Sequence, residues 1–461
     1  MRPNPSPGKP LALLLAFRRP HDGVCLKPLA TLVVRECGIT PSSRRQPDLR
    51  HLFGASELRI DARSVRILYT LTAYPPAIGG TQLHTHELAR RLRARHCVQV
   101  VTQWTTRRTD WLLGTTLRAP PYSCAYEVDG VPVRTLALSA EVRRRLVPWA
   151  LAYYAVQGPA LRRISDALAA ELAPWAAAAD VIHNCRIGRE GLSYASLQVA
   201  RQYGVPFVFT SVHHPRWGGW LHRHYHRLYR LADAVIAMTE AERRTLVQLG
   251  VAEDRVFVTG VGPILAARAD GARFRARYGL GEHPVVLFVG QKYAYKGVAA
   301  LLDATRSVWR RFPETRFAFV GPRTSHSERV FRNVTNGRIL ELDAVDLQDK
   351  TDALAACDVL CLPSTQESFG GVFTEAWSLG KPVVGCDIPA VRAVVEDGRD
   401  GLLVPQRSAA LADALVYLLE RPAVRQEMGQ RGREKVETRY AWSRLTAQIE
   451  SVYQQVMERR A

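Results

Sequence analysis

The chain reads as an α/β protein of two doubly wound, Rossmann-like domains facing one another across a cleft. Three observations predict this: its length, a strand–helix alternation that occurs in two separate series, and a polar stretch between them. At 461 residues and 47% hydrophobic, the sequence is too long for one ordinary core and apolar enough for two of about 200 residues each.

Residues 1–63 are rich in proline and arginine and show no sustained period, which predicts a disordered leader. Order begins at Val65–Leu71, a buried-strand pattern that runs into Tyr74-Pro-Pro-Ala-Ile-Gly-Gly80, after which Leu83, Leu88 and Leu92 recur at helical spacing. Further apolar strands are expected at Val98–Thr102, Val181–His183, Pro206–Thr210 and Ala234–Met238. The second series starts with Val285–Val289, continues through a helix near Val298–Phe312, and adds strands at Phe317–Val320, Val359–Leu362 and Pro382–Val384. Strands alternating with helices imply a parallel sheet covered on both faces. Expected units are therefore 64–262, a linker at 263–283 carrying Gly279-Leu-Gly281, a second domain at 284–436, and a terminal helix at 437–461 that crosses back to the first domain.

Lysine and arginine outnumber acidic residues 63 to 43, for a formal charge of +20, which favours an anionic partner. Much of the excess lies on helical stretches such as Arg143–Arg145, the pattern of a solvated surface or a peripheral membrane contact. A nucleic-acid binder would interleave aromatic and basic residues on strands, and no such pattern occurs. No stretch approaches the ~18 uninterrupted apolar residues of a spanning helix. The apolar run Leu11–Phe17 is cut short by Arg18 and Arg19, so secretion is not expected. Eight cysteines without Cys-x-x-Cys spacing fit a reduced, cytoplasmic compartment.

In parallel α/β sheets, ligands bind beyond the carboxyl ends of the strands, so the loops there are where chemistry is expected. Glu367-Ser-Phe-Gly-Gly-Val-Phe-Thr-Glu375 follows the strand Val359–Leu362, and Gly370 and Gly371 open a helix. Bare amides at a glycine-opened helix start form an anion seat. A carboxylate on either side can accept hydrogen bonds from hydroxyls next to a bound phosphate. Read alone, the same residues also suit a helix start stabilised by Glu375 with a solvated Glu367.

Glu367-x7-Glu375 with its internal Ser-Phe-Gly-Gly, followed by Gly380-Lys-Pro-Val-Val384 and Asp397-Gly-x-x-Gly-Leu-Leu-Val404, resembles the large family 4 of retaining glycosyltransferases of the two-domain GT-B type. The likeness covers most of residues 64–445. It implies that Glu367 contacts the donor sugar, that Glu375 contacts the ribose of a nucleotide-diphosphate sugar, and that the backbone of Phe369, Gly370, Gly371 and Val372 holds sugar and phosphate. In Gly290-Gln-Lys-Tyr-Ala-Tyr-Lys-Gly297, Lys292 and Lys296 are expected to clamp the diphosphate and stabilise charge on it as the glycosidic bond breaks. The family usually carries arginine at the first of these positions, so Lys292 departs from the pattern and Lys296 matches it. Gly79 and Gly80 correspond to a loop that closes over the donor phosphates, and His84 completes Gly-Gly-x-x-x-His, although a packed role suits it better. Thr210-Ser-Val-His-His-Pro215 lies where the family places a histidine near the reacting carbon; His213 is the candidate, with His214 beside it. Relatives often carry a glutamate where this chain has Ala393.

No metal site is expected. His222 and His226 share a helix face, but no carboxylate accompanies them at a metalloprotease position and no Asp-x-Asp motif ends a strand. No cofactor is expected either. The expected reaction moves a sugar, with retention, to a hydroxyl of a glycan, a lipid-linked molecule or a small molecule. Double displacement needs a nucleophilic carboxylate about 5 Å from its acid partner, and no such pair is marked; the resemblance implies instead a same-face mechanism in which the leaving phosphate deprotonates the acceptor. Rival readings are a GT-B epimerase or phosphorylase, the latter lacking a recognisable cofactor lysine, and a non-enzymatic binder.

Overall fold

The structure is a computed structural model that describes residues 64–105, 116–186, 189–214 and 217–460. The expected leader, 1–63, therefore lies outside the described residues.

The first lobe is built on an eight-stranded sheet made of β1 (Arg66–Ala73), β2 (Cys97–Trp104), β3 (Ala125–Val128), β4 (Val131–Thr135), β5 (Val181–Cys185), β6 (Phe207–Thr210), β7 (Ala234–Ala237) and β8 (Val256–Val258). Their order is β3-β4-β2-β1-β5-β6-β7-β8. Every pairing is parallel except the edge hairpin β3–β4. From Ile67 to Ala73, β1 is buried throughout, as a strand covered by helices on both faces must be.

The second lobe carries β9 (Val285–Val289), β10 (Arg316–Val320), β11 (Ile339–Leu342), β12 (Val359–Leu362), β13 (Val383–Cys386) and β14 (Gly401–Val404). They run β11-β10-β9-β12-β13-β14, all parallel. Counted within the lobe, this is the doubly wound order whose direction reverses beside the first strand. The reversal falls between β9 and β12, so the loops after these two strands, residues 290–297 and 363–370, flank one crevice. The corresponding point of the first sheet lies between β1 and β5, bringing the loops at 74–79 and from 186 onward together.

Two elements join the lobes. Helix Trp442–Glu458 returns to the first sheet, where the Tyr453 hydroxyl meets that of Tyr69 at 2.8 Å and the His183 Nδ1 at 2.7 Å. At its start, the Trp442 indole donates to Pro263 O at 2.7 Å. The segment 263–283, expected as a linker, instead folds a short helix, Gly271–Arg277, capped by Asp270. That helix packs onto helix Leu347–Ala356 through Arg273, which reaches Asp349 and Asp352, each at 2.5 Å. A Cβ on Gly271 would come within 2.8 Å of the Ala355 carbonyl carbon, so the backbones meet closely there. The charged residues that make this segment read as polar are the ones that fasten it to the second lobe.

Candidate active site

Between the lobes lies a cleft of about 670 Å³ lined from both sides. Its second-lobe wall begins at helix Gly371–Ser378. Gly370 caps this helix in a left-handed conformation (φ 85°) and offers no side-chain cap. A Cβ there would sit 2.6 Å from the Phe373 ring, so glycine is required by both backbone and space. The first helical turn carries no acidic side chain, leaving its uncapped amides and the positive end of the helix dipole to face the cleft.

The two glutamates sit on either side of this helix start, each held by a lysine. Glu367, 8% exposed, accepts a short hydrogen bond from Lys296 Nζ. Glu375, 6% exposed, accepts from Lys350 Nζ at 2.7 Å, and the same ammonium donates to Ile264 O at 2.8 Å. The other Glu375 oxygen, Oε2, has no partner. Burial pushes the Glu375 carboxyl above its ordinary value, against the pull of Lys350. Phe369, whose ring meets Tyr440 edge-on at 5.3 Å, lines the cleft with Val372, as do Gly79, Gly80 and His84 from the first lobe. Gly79 is extended and precedes helix Gly80–Leu92. The His84 ring packs 5.4 Å from that of Trp442, and burial holds its value down to about 4.

Two expected residues face elsewhere. Lys292 is fully buried, with its ammonium spent on Gly321 O at 2.8 Å, on Leu342 O and on Glu341. Its backbone N–H bonds Pro322 O at 3.2 Å, so the residue lies against β10 and β11 and its side chain runs beneath them. It ties strand ends together, and the two-lysine clamp does not form. His213 also turns inward. Its backbone N–H donates to Glu242 Oε1 at 2.5 Å and its Nδ1 meets the Tyr229 hydroxyl at 3.1 Å. Burial, with help from Arg186, drives it down to about 3. The preceding Val212 has φ 42°, an unusual conformation for a β-branched residue, and it is His214 that lines the cleft.

Sequence reading missed Lys350, Arg186 and Arg189. Lys350 carries no local signal because it meets Glu375 from a helix twenty-five residues earlier. Among the described residues, no group of three or more histidine, cysteine, aspartate or glutamate side chains could hold a metal ion. His222 and His226 each bond a backbone carbonyl at 3.2 Å, of Gly218 and Trp217 respectively.

Residues 79–262 match the model of the glycosyl transferase 4-like domain, and residues 283–421 that of glycosyl transferases group 1. The chain belongs to the group 1 glycosyltransferases. The phosphatidyl-myo-inositol mannosyltransferase of Mycobacterium tuberculosis H37Rv is 37% identical over 198 residues, 41% of this chain and 50% of the relative. The D-inositol 3-phosphate glycosyltransferase of Saccharomonospora viridis is 32% identical over 243 residues, 49% of this chain and 56% of the relative. The chain thus spans about half the length of the curated relatives it matches. Among solved structures, Anabaena HepE in complex with UDP and glucose superposes with a TM-score of 0.64 at 19% identity, covering 85% of this chain and 99% of that one. Sucrose-phosphate synthase from Thermosynechococcus elongatus gives 0.64 at 20% identity, covering 86% and 100%. These likenesses show the fold. The two-domain GT-B architecture and the family resemblance expected from Glu367-x7-Glu375 are both found.

Proposed function

We propose that this group 1 glycosyltransferase moves a sugar from a nucleoside-diphosphate sugar to an alcohol of a glycan, a lipid-linked molecule or a small molecule, with retention at the anomeric carbon. The observation that carries this reading is the uncapped, glycine-opened start of helix Gly371–Ser378, with a lysine-bound carboxylate on each side, inside the inter-lobe cleft. The amides and Lys296 take the diphosphate, Glu375 accepts from the ribose hydroxyls, and Glu367 accepts from the sugar hydroxyls. The relatives' names, one a mannosyltransferase and one a glycosyltransferase, support transfer of a hexose.

Glu367 bonds Lys296, which suits a hydroxyl acceptor held in place better than a free nucleophile. The acceptor hydroxyl therefore attacks the same face from which the diphosphate departs. As the new C–O bond forms and the old one breaks, the hydroxyl proton passes to the leaving phosphate oxygen. Lys296 and the helix dipole stabilise the charge that collects there, so the reading needs neither a metal nor a cofactor. Closure of the lobes keeps water from the donor. Arg144 and Arg145 are exposed, and Leu151 nearby is 64% exposed, which supports peripheral contact with the inner face of a membrane. No helix among the described residues is long and apolar enough to cross one.

A thermal-shift and hydrolysis screen across UDP-, GDP- and ADP-sugars tests the reading. At least one donor is expected to stabilise the protein, and Glu375→Ala should abolish that shift. No stabilisation by any donor, together with unchanged behaviour of Glu375→Ala, overturns it.

A further inference from the structure

The first-lobe wall of the cleft contains two cations that the donor site does not use. Arg186 directly follows β5, and Arg189 precedes helix Gly191–Gln202; both line the cleft. Arg186 is only 4% exposed. Its guanidinium is stacked between Trp217, at 3.8 Å, and Tyr225, at 3.6 Å, and one nitrogen donates to the Tyr229 hydroxyl. Its Nε–H has no acceptor. Arg189 donates to the Tyr154 hydroxyl at 3.2 Å, while its buried Nη1 has no acceptor.

No carboxylate among the described residues lies within 4.0 Å of either guanidinium. Two buried acidic groups act on them only from further off: Glu190 accepts from Tyr153 at 2.6 Å, keeps its Oε1 unpartnered and pulls on Arg189 through space, while Glu242, which feels Arg186 in the same way, is taken by Ser211, His213 N–H and Met238 N–H. A buried charge with no carboxylate in contact is costly, and more distant acids together with stacking on aromatic faces offset only part of that cost. It also fixes the guanidinium plane, so that its donors point in set directions.

We propose that Arg186 and Arg189 form an anion subsite for the acceptor, and that the acceptor alcohol carries a phosphate ester. Two positive charges with unspent N–H donors match a phosphate ester better than a single carboxylate. The subsite lies across the cleft from Lys296 and Glu367, where the attacking hydroxyl must enter. This inference rests on the glycosyltransferase reading and names its acceptor class.

The test is titration of the full chain with inorganic phosphate after saturation with whichever of UDP, GDP or ADP binds, so that the donor seat is filled. Saturable phosphate binding is expected, weakened at least tenfold in Arg189→Gln and kept within threefold in Arg189→Lys. Arg189 is less buried than Arg186, so this pair carries the test whether or not Arg186→Gln folds. Displacement of the phosphate by D-inositol 3-phosphate assigns a free ester, and displacement only by phosphatidyl-myo-inositol vesicles assigns a lipid headgroup. The inference is overturned by no phosphate binding, by equal binding in Arg189→Gln, by acetate binding as tightly as phosphate, or by displacement with neither ester. If no nucleotide binds, the glycosyltransferase reading itself fails; if one binds and phosphate does not, only the acceptor subsite fails.

Discussion

The two walls of the cleft use positive charge in opposite ways. On the second-lobe wall each lysine is matched to a carboxylate: Lys296 to Glu367, Lys350 to Glu375 and, beneath the surface, Lys292 to Glu341. On the first-lobe wall, Arg186 and Arg189 lie over aromatic rings, and among the described residues no carboxylate reaches either within ion-pair distance, Glu190 acting on Arg189 only from further off. A paired lysine is a neutral unit that opens when hydroxyls and phosphates arrive to share its charge. An arginine with an N–H left over has a donor to offer an incoming anion. In the proposed reading, the contrast separates a site for a sugar and ribose flanking a diphosphate from a site for a phosphate ester.

The largest effect should come from Lys296→Ala. With Lys296 in its proposed place beside the leaving phosphate, its removal is expected to lower kcat by about 10²–10³-fold, or about 3–4 kcal/mol of transition-state stabilisation. Steady-state kinetics with the donor found in the screen would show it, and a loss of less than tenfold would break the assignment of Lys296 to the reacting phosphate. Lys292→Met sharpens the comparison from the other side. Because Lys292 holds Glu341 and two carbonyls inside the lobe, the variant should lose about 3 kcal/mol of stability in urea unfolding while its kcat falls far less than that of Lys296→Ala. A kcat loss as large as that of Lys296→Ala would return Lys292 to the donor site.

The meeting of the lobes should be acid-sensitive through His84. Burial lowers this residue from its ordinary 6.5 to about 4, so the folded protein favours the neutral ring. Its contribution is present above pH 6.5 and is lost as pH falls toward 4, by up to about 3 kcal/mol. The expected outcome is a Tm that drops over this window in the wild type and drops less in His84→Gln. Equal slopes would remove His84 as the cause. The smallest change belongs to Gly370→Ala, where a left-handed φ and the Phe373 ring both oppose a Cβ. A loss of about 2 kcal/mol is expected, with donor affinity falling alongside as the helix start shifts.

Much of this molecule is legible in its sequence. Strand Val359–Leu362 falls where the apolar run places it, and Val298–Arg311 ends one residue short of the expected Phe312. The weakest elements escaped: the edge hairpin β3–β4, and β8, β11 and β14, of three to five residues each. They are too short for a period to show, and they owe their pairing to a neighbouring strand. Within the site, Gly370, Gly371, Glu367, Glu375 and Lys296 line the cleft as their spacing suggests. Lys292 and His213 do not, because a residue's position in a loop says little about which way its side chain leaves the turn. The φ of 42° at Val212 illustrates the difficulty, since nothing about a valine announces it.

By itself, the sequence determined the alternation of strands and helices, the two-lobed architecture, and the glycine-opened helix between two carboxylates. These follow from hydrophobic period and backbone preference, which act between near neighbours along the chain. Only the tertiary structure decided which charges are paired. Lys350 meets Glu375, Lys296 meets Glu367 seventy-one residues away, and Arg186 finds Tyr225 instead of a carboxylate, because each partner is delivered by a different strand or helix. Charge neutralisation acts through space, and the distances that decide it exist only after both sheets have formed and the terminal helix has joined the lobes.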